Sequence, residues 1–407
     1  MPAIALDEAH LSDAGLVSAV GSVLATPRDA PADSFVLHSA LELTARSALL
    51  PYVRPDRRSI ARRRLVELAD QYTAFDVPVV TPPDRDFESV DVGAARLADA
   101  IAAGDLDETD ATASWLGRTA SPEELRRLLA DTVLTSLAAA AHAPIFLYLL
   151  RRVAPRGEIS PELLRGLARE LARRPEWRLR WVDERPPVGP ASGDELFDAL
   201  ASTPRLGEPE SSFIHPLMSR IDGNGLAASW LGAVTGGADI ADRGRAVLRA
   251  AAWSMLDEPG RHAPYGWSHC LTMPQAVLGV ADACADPSRA LAVAATFVSG
   301  FRASLATREL TRRFEAERPA MAIADALEAE PAVAAAAVWH APGEQLADVV
   351  TEVVTSAATH HDAHLVKYTL ACLDAAAADP SQRRLYLAAA ASLVAWWATA
   401  DDVRLPT

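Results

Sequence analysis

The sequence predicts an all-α fold, a single large multi-helix domain with a buried histidine and lysine site at its centre. Three observations carry that expectation. Alanine and leucine dominate the 407 residues while valines are scattered, apolar positions recur at helical spacing, and runs alternating β-branched with polar residues are few. Hydrophobic residues make up 50% of the chain, enough to fill a sizeable core.

Residues 1–33 read as a loosely attached lead-in with one helix, and residues 34–407 as the helical domain. "DSFVLHSALELTARSALL" starts a helix with Ser34 as its N-cap. "SPEELRRLLADTVLTSLAAAAHAPIFLYLLRRV" starts another with Ser121 as cap, Pro122 at the first helical position and Glu124 three after the cap, a capping box. Pro, Gly and Ser cluster in "DERPPVGPASGDE", "TPRLGEPESS" and "DEPGRHAPYG", which breaks the pattern there. Asp286-Pro287 opens a further long helix, and the segment from about Pro342 to Ala378 reads as one continuous helix. The loops near 183–212 offer a domain boundary, but candidate site residues fall on both sides, so one domain is expected.

A formal charge of -15 and a pI near 5.1 leave no basic patch for nucleic acid and argue against an anionic membrane surface. Small neutral or cationic partners fit better. The N-terminus, "MPAIALDEAHLSDAG", has no charged region followed by an apolar core, and "LAAAAHAPIFLYLL" is too short to span a bilayer. Cys270, Cys284 and Cys372 lack metal-type spacing and suit reduced, structural thiols. A soluble, cytoplasmic protein is expected, and its apolar helices would serve equally to cover a site or to form a homodimer.

Of 39 cationic side chains, 38 are arginine and one is lysine, Lys367. A GC-rich genome explains the bias, and the bias makes the exception informative. Projected as one helix, the stripe of Leu346, Val349, Val350, Val353 and Ala357 runs on into His360, His364 and Lys367, all within about 60° of its centre. Tyr368, Ala371 and Cys372 carry the apolar character past the lysine, while Asp362 projects to the opposite side and His361 to the flank. A lysine buried there loses charge. A neutral amine can act as a base or Schiff-base nucleophile, or take up CO2 as a carbamate that a metal stabilises. Arginine does neither.

Other histidines supply the rest of a possible site. His38 lies on the first good helix with Glu42 one turn on, although Glu42 is also placed to pair with Arg46. His142 interrupts an apolar helix just before Pro144. Each alone suits a satisfied core histidine as well as a ligand. His262 and His269 flank an aromatic turn, "GRHAPYGWSHCLTMPQA", and His215 sits in "SSFIHPLMSR"; His10 and His340 lie in unremarkable contexts. Imidazole-rich sets suit iron, zinc, copper or nickel.

These residues resemble the questin oxidase-like family, which includes fungal enzymes that oxidise anthraquinones and many bacterial members. The run His360-His361-Asp362-Ala363-His364-Leu365-Val366-Lys367 looks like that family's closing His, His, aliphatic pair and Lys. "HCLTMPQAVLG" from His269, "LAAAAHAP" at His142 and "VLHSALEL" at His38 look like its earlier anchors. The four occur in family order over about 330 of the 407 residues. Leu37 departs from the family's usual Asn, and His361 stands where a small residue is common.

The resemblance implies a mononuclear non-heme Fe(II) site, held by histidines and a carboxylated lysine, that activates O2 for oxidative ring opening of a polycyclic aromatic. Lys367 would be the carbamate ligand and His142, His269 and His364 imidazole ligands, with His38 and His360 competing for the remaining place. Tyr265 and Trp267 would form part of an aromatic wall, and His262 or His361 would deprotonate an electron-rich phenolic substrate. The expected activity is that of an O2-dependent oxidoreductase in natural-product metabolism. Two other readings stand beside it. One is an HD-type metal-dependent phosphohydrolase using the His361-Asp362 pair, and the other is a non-catalytic helical binding protein.

Overall fold

The computed structural model describes residues 10–29, 34–153, 161–184, 192–207, 214–223 and 239–400. Its longer helices are, in order, Asp13–Leu24, Ser34–Leu49, Arg58–Ala74, Val90–Ala103, Leu106–Thr119, Pro122–Leu134, Ala143–Val153, Leu164–Arg173, Gly193–Ala201, Ile214–Gly223, Ile240–Asp257, Ser268–Gly279, Pro287–Leu305, Pro331–Trp339, Leu346–Thr359, Ala363–Ala378 and Arg383–Thr399. Extended pairing among the described residues amounts to two isolated bridges, Arg28 with Pro78 and Ser136 with Arg178. The fold is all-α, as the alanine and leucine periodicity dictates. No helix of the described residues is long and apolar enough to cross a membrane.

Four helices position the centre. Ser34–Leu49 packs on Ala143–Val153 and on Ala363–Ala378, and Ser268–Gly279 packs on the same two. They close a ring whose inward side chains share one core, the arrangement in which helical bundles hold metal sites. Tyr148 ties the ring together: its hydroxyl donates to Asp374 Oδ2 at 2.7 Å, and its ring lies over Gly279, where a Cβ would meet Tyr148 Cδ2 at 2.2 Å. Gly279→Val is therefore expected to destabilise the protein by about 2–3 kcal/mol through overpacking, read as a lowered urea midpoint at unchanged m-value.

Several starts follow the sequence. Ser121 Oγ accepts from Glu124 N at 3.2 Å while Glu124 Oε2 accepts from Ser121 N at 2.8 Å, and Asp286 Oδ1 accepts from Ser288 N at 2.9 Å ahead of Pro287–Leu305. The Ser34–Leu49 helix begins at Ser34 itself, whose side chain lies outside the described residues. Parts of the Pro/Gly-rich loops near 183–212 lie outside them too. Arg302 nevertheless joins the chain on either side, donating to Leu200 O at 3.0 Å and to Ser254 Oγ at 3.1 Å.

Three expectations are corrected. The described part of the lead-in, residues 10–29, is not loosely attached, because Leu16, Val17 and Val20 are buried in the common core and Asp13 pairs with Arg58 and Arg62. The helix that begins at Pro122 ends at Leu134. Residues 135–137 then pair with 177–179 (Leu137 N to Trp177 O, 2.7 Å; Leu179 N to Thr135 O, 2.9 Å), and Ala139, Ala140 and Ala141 follow at φ of 52°, 51° and 56°. Such a left-handed turn costs about 1–2 kcal/mol per alanine; it aims the next residue, His142, into the ring.

The third correction concerns the C-terminal segment, which is two helices. Leu346–Thr359 stops, His360 turns extended, and Asp362 caps Ala363–Ala378 by accepting from His364 N at 2.8 Å and Leu365 N at 3.0 Å. Arg46, buried on the Ser34–Leu49 helix, completes the corner. It donates to Ala358 O and His360 O, each at 2.8 Å, and to Glu42 Oε1 at 2.7 Å. An Asp cap on one side and a guanidinium on the orphan carbonyls of the other make two helices more favourable than one.

Candidate metal centre

Five of the six residues expected to ligate a metal converge inside the ring. His38, His269 and His364 present nitrogens within 4.8 Å of one another. His142 Nε2 lies 2.8 Å from His38 Nε2 and 3.4 Å from Lys367 Nζ. The rings stand edge to face, with centroids 4.5 Å apart for His38 and His142, 4.6 Å for His38 and His364, 5.2 Å for His142 and His269 and 4.9 Å for His269 and His364. Each of the four helices contributes one imidazole or its flanking residue, and Ala363–Ala378 contributes both His364 and Lys367.

His360 does not join them. The break at residues 360–362 ends the register that placed it on the stripe; its Nδ1 accepts from Asp362 N at 3.0 Å, and its ring packs on His361 at 4.3 Å and Trp397 at 5.1 Å. Of the two competitors for the last place, His38 is the one at the cluster. The structure also corrects the expected placing of Asp362 away from the stripe, for it is the cap beneath His364. His361 is exposed, so the His361-Asp362 pair does not converge on the cluster as a phosphohydrolase dyad would.

The outer nitrogens decide the tautomers. His142 Nδ1 meets Ala139 O at 2.9 Å, and His269 Nδ1 meets Tyr265 O. With Nδ1–H donated outward, Nε2 of each carries its lone pair into the cluster. His38 Nε2–H then donates to His142 Nε2. His269 Nε2 is buried with no hydrogen-bond partner. So is His364 Nδ1, which has Asp362 Oδ1 at 3.6 Å, near enough to feel the charge but too long for a hydrogen bond. A buried imidazole nitrogen left without a partner is costly.

Electrostatics agree. Burial, reinforced by Lys367 and the neighbouring rings, pushes His38, His142 and His269 well below the ordinary imidazole range, and burial lowers His364 against the pull of Asp362. Burial pushes Lys367 down to about 7 while Asp362 and Glu42 oppose it. Burial alone would raise Asp362, but His364 and the backbone of Leu365 outweigh it and hold the carboxyl below its usual range. Burial also raises Glu42, against the guanidinium of Arg46.

The donor set fits a borderline transition-metal ion. Nitrogens on one such ion lie roughly 3–3.5 Å apart, so the observed spacings close on an ion with small side-chain shifts. Outer bonds from Nδ1 to backbone oxygens are what metal-ligating histidines make.

The remaining candidates fall elsewhere. His215 stacks on Trp177 at 3.9 Å. His340 meets Ala316 O at 2.8 Å. His262 opens the π turn Ala263–Trp267 and accepts from Arg261 Nε at 3.3 Å. Trp267 is buried with its indole donating to Glu258 O at 2.5 Å, so it braces the turn. Cys270, Cys284 and Cys372 are buried free thiols.

Sequence reasoning anticipated the pairing of Arg46 with Glu42 but missed its bonds to the carbonyls of Ala358 and His360, the left-handed alanines and Trp397. The Asp362 cap had a signal, an Asp just before an apolar run, which the continuous heptad-like pattern obscured. Compared with known proteins, the chain matches no described protein family, no curated protein and no solved structure.

Proposed function

We propose that the His38, His142, His269, His364 and Lys367 cluster is a mononuclear metal centre of an O2-dependent oxidoreductase acting on an electron-rich polycyclic aromatic. Lys367 would be carried as the carbamate and Fe(II) would be the metal. The observation that carries the reading is the convergence of His38, His269 and His364 nitrogens within 4.8 Å of one another, with His269 Nε2 buried and without a hydrogen-bond partner, in a cluster that also contains the chain's one lysine. The oxygenase chemistry and the aromatic substrate come from the family resemblance, and the geometry supports them through the donor set alone.

When bound, iron(II) supplies the one-electron chemistry that lets triplet O2 react with a closed-shell phenol. The chain's own residues do the rest. The four imidazoles are neutral and need release no net proton on binding, although the proton that His38 Nε2 shares with His142 Nε2 must first leave that nitrogen. Ala139 O and Tyr265 O fix the rings of His142 and His269. The uncharged Lys367 amine is nucleophilic near neutral pH: Nζ adds to CO2, a proton leaves, and an anionic oxygen donor results. The buried surroundings exclude bulk water. Buried free thiols suit a reducing compartment, in keeping with a cytoplasmic location.

The test is metal content. Protein loaded with Fe(II) under argon in 13C-bicarbonate is expected to bind one equivalent and to show a carbamate 13C resonance that Lys367→Met lacks. Protein loaded in CO2-free buffer should hold the metal at least about 10-fold more weakly. Wild-type protein that takes up no metal under either condition would refute the reading.

A further inference from the structure

The ring of four helices has a second end. Ser268–Gly279 and Ala363–Ala378 carry His269, His364 and Lys367 near their starts, and near their ends they line an open pocket of about 590 Å³. From Lys367 to Asp374 the helix axis rises roughly 10 Å, which sets the pocket apart from the metal cluster. Ile240 and Leu248 of the Ile240–Asp257 helix form another wall, while Gly244, Ala375 and Ala378 leave the space between the helices unfilled. Charges at the walls are already paired. Asp282 accepts from both Nη atoms of Arg126, Arg245 donates to Asp242 Oδ1 at 3.3 Å, and Asp374 accepts from the Tyr148 hydroxyl. Gln275 is the exception. It lines the pocket, it is 8% exposed, and its side-chain amide has no hydrogen-bond partner among the described residues. A primary amide offers N–H donors and a carbonyl acceptor side by side, and pockets for small molecules are apolar with a few such polar groups fixing orientation.

We propose that this pocket binds a neutral, largely aliphatic molecule through one cis amide, as in a lactam or an imide, paired edge to edge with the Gln275 side chain. A cis amide presents its N–H and C=O on one edge, and so meets Gln275 Oε1 and Nε2 together in a ring of two hydrogen bonds. A peptide backbone presents them on opposite edges because its bonds are trans, which excludes an extended chain as the occupant. A carboxylate brings no donor for Oε1 and would stand near Asp282 and Asp374, with like charge. A cation finds those two acids already engaged, by Arg126 and by Tyr148. The ligand chemistry follows from Gln275 and from the paired charges around it, and does not depend on the metal centre.

The probes are octahydro-2-quinolinone, a saturated bicyclic lactam, and its N-methyl derivative, titrated into metal-free full-length protein and followed by ligand-observed NMR. Wild type is expected to bind the lactam at least about 5-fold more tightly than the N-methyl compound, which lacks the donor. Gln275→Leu should bring that ratio within about 2-fold. The bulk and hydration of the probes are the same for both proteins, so the change in ratio reads the amide pair alone. Ala378→Trp, at an exposed position on the rim, should abolish binding of both probes by filling the pocket, with the urea midpoint unchanged; it keeps the test decisive should Gln275→Leu fail to fold. Wild type that binds neither probe, or binds both equally, overturns the proposal. So does a ratio preserved in Gln275→Leu, or binding that survives in Ala378→Trp. A wild-type protein that sediments as a dimer and becomes a monomer on Ala378→Trp also overturns it, since a second copy would then cover this face.

Discussion

Replacing Lys367 with methionine is expected to make the metal-free protein more stable at pH 7, by up to about 4 kcal/mol, and to leave it unable to hold the metal. The amine titrates near 7 in the fold against 10.5 outside it, chiefly because it is buried. Between those values the unfolded chain binds a proton that the folded chain does not, so wild-type stability rises with pH across the window from 7 to 10.5. Below pH 7 both states are protonated and the full cost is felt. Above 10.5 neither is, and the cost vanishes. Methionine has a similar length and no charge. Its advantage should be largest at and below pH 7 and fade toward pH 10.5. Urea unfolding of both proteins at pH 7 and pH 10 measures this directly; parallel pH profiles would mean that the amine is not held neutral. Lys367→Arg should do the reverse, costing about 3–5 kcal/mol, since a guanidinium stays charged in the same site and forms no carbamate.

His38→Ala should weaken metal binding by about 100-fold or more, as loss of a ligand does, while His360→Ala should leave it within about 3-fold. Affinity for Co(II), measured by competition with a chromophoric chelator in CO2-equilibrated buffer, separates the two. The contrast is sharp because a continuous helix would give the opposite ranking. His360 and His364 would then stack on one face, and His38 would be an ordinary core histidine. Equal losses in both variants would show that the corner at residues 360–362 does not hold His360 off the cluster.

The corner shows where sequence reading stops. Apolar spacing from Leu346 to Cys372 is helical throughout, and its average is right on both sides of the break. Yet a stripe says only that each turn is buried, and two helices meeting at Asp362 bury the same apolar residues as one. Deciding between them needed Arg46, some 310 residues away in sequence, to take the carbonyls of Ala358 and His360. His142 is similar. Its place in an apolar run was legible, but the left-handed turn that aims it depends on pairing with residues 177–179. Trp267 and Tyr265 looked alike as wall aromatics. Only packing put Trp267 under the turn and left Tyr265 exposed against His364.

By itself the sequence determined the all-helical fold, the capped start at Ser121, the long helix after Asp286-Pro287, and a buried Lys367 on one face with His364. All of these follow from local propensity and periodicity, which act over a few residues. The tertiary structure decided the membership of the cluster, because four helices from distant parts of the chain must meet before His38 and His142 come within 2.8 Å. It also decided the tautomers, which depend on the backbone oxygens of Ala139 and Tyr265, positions that no spacing along the chain encodes.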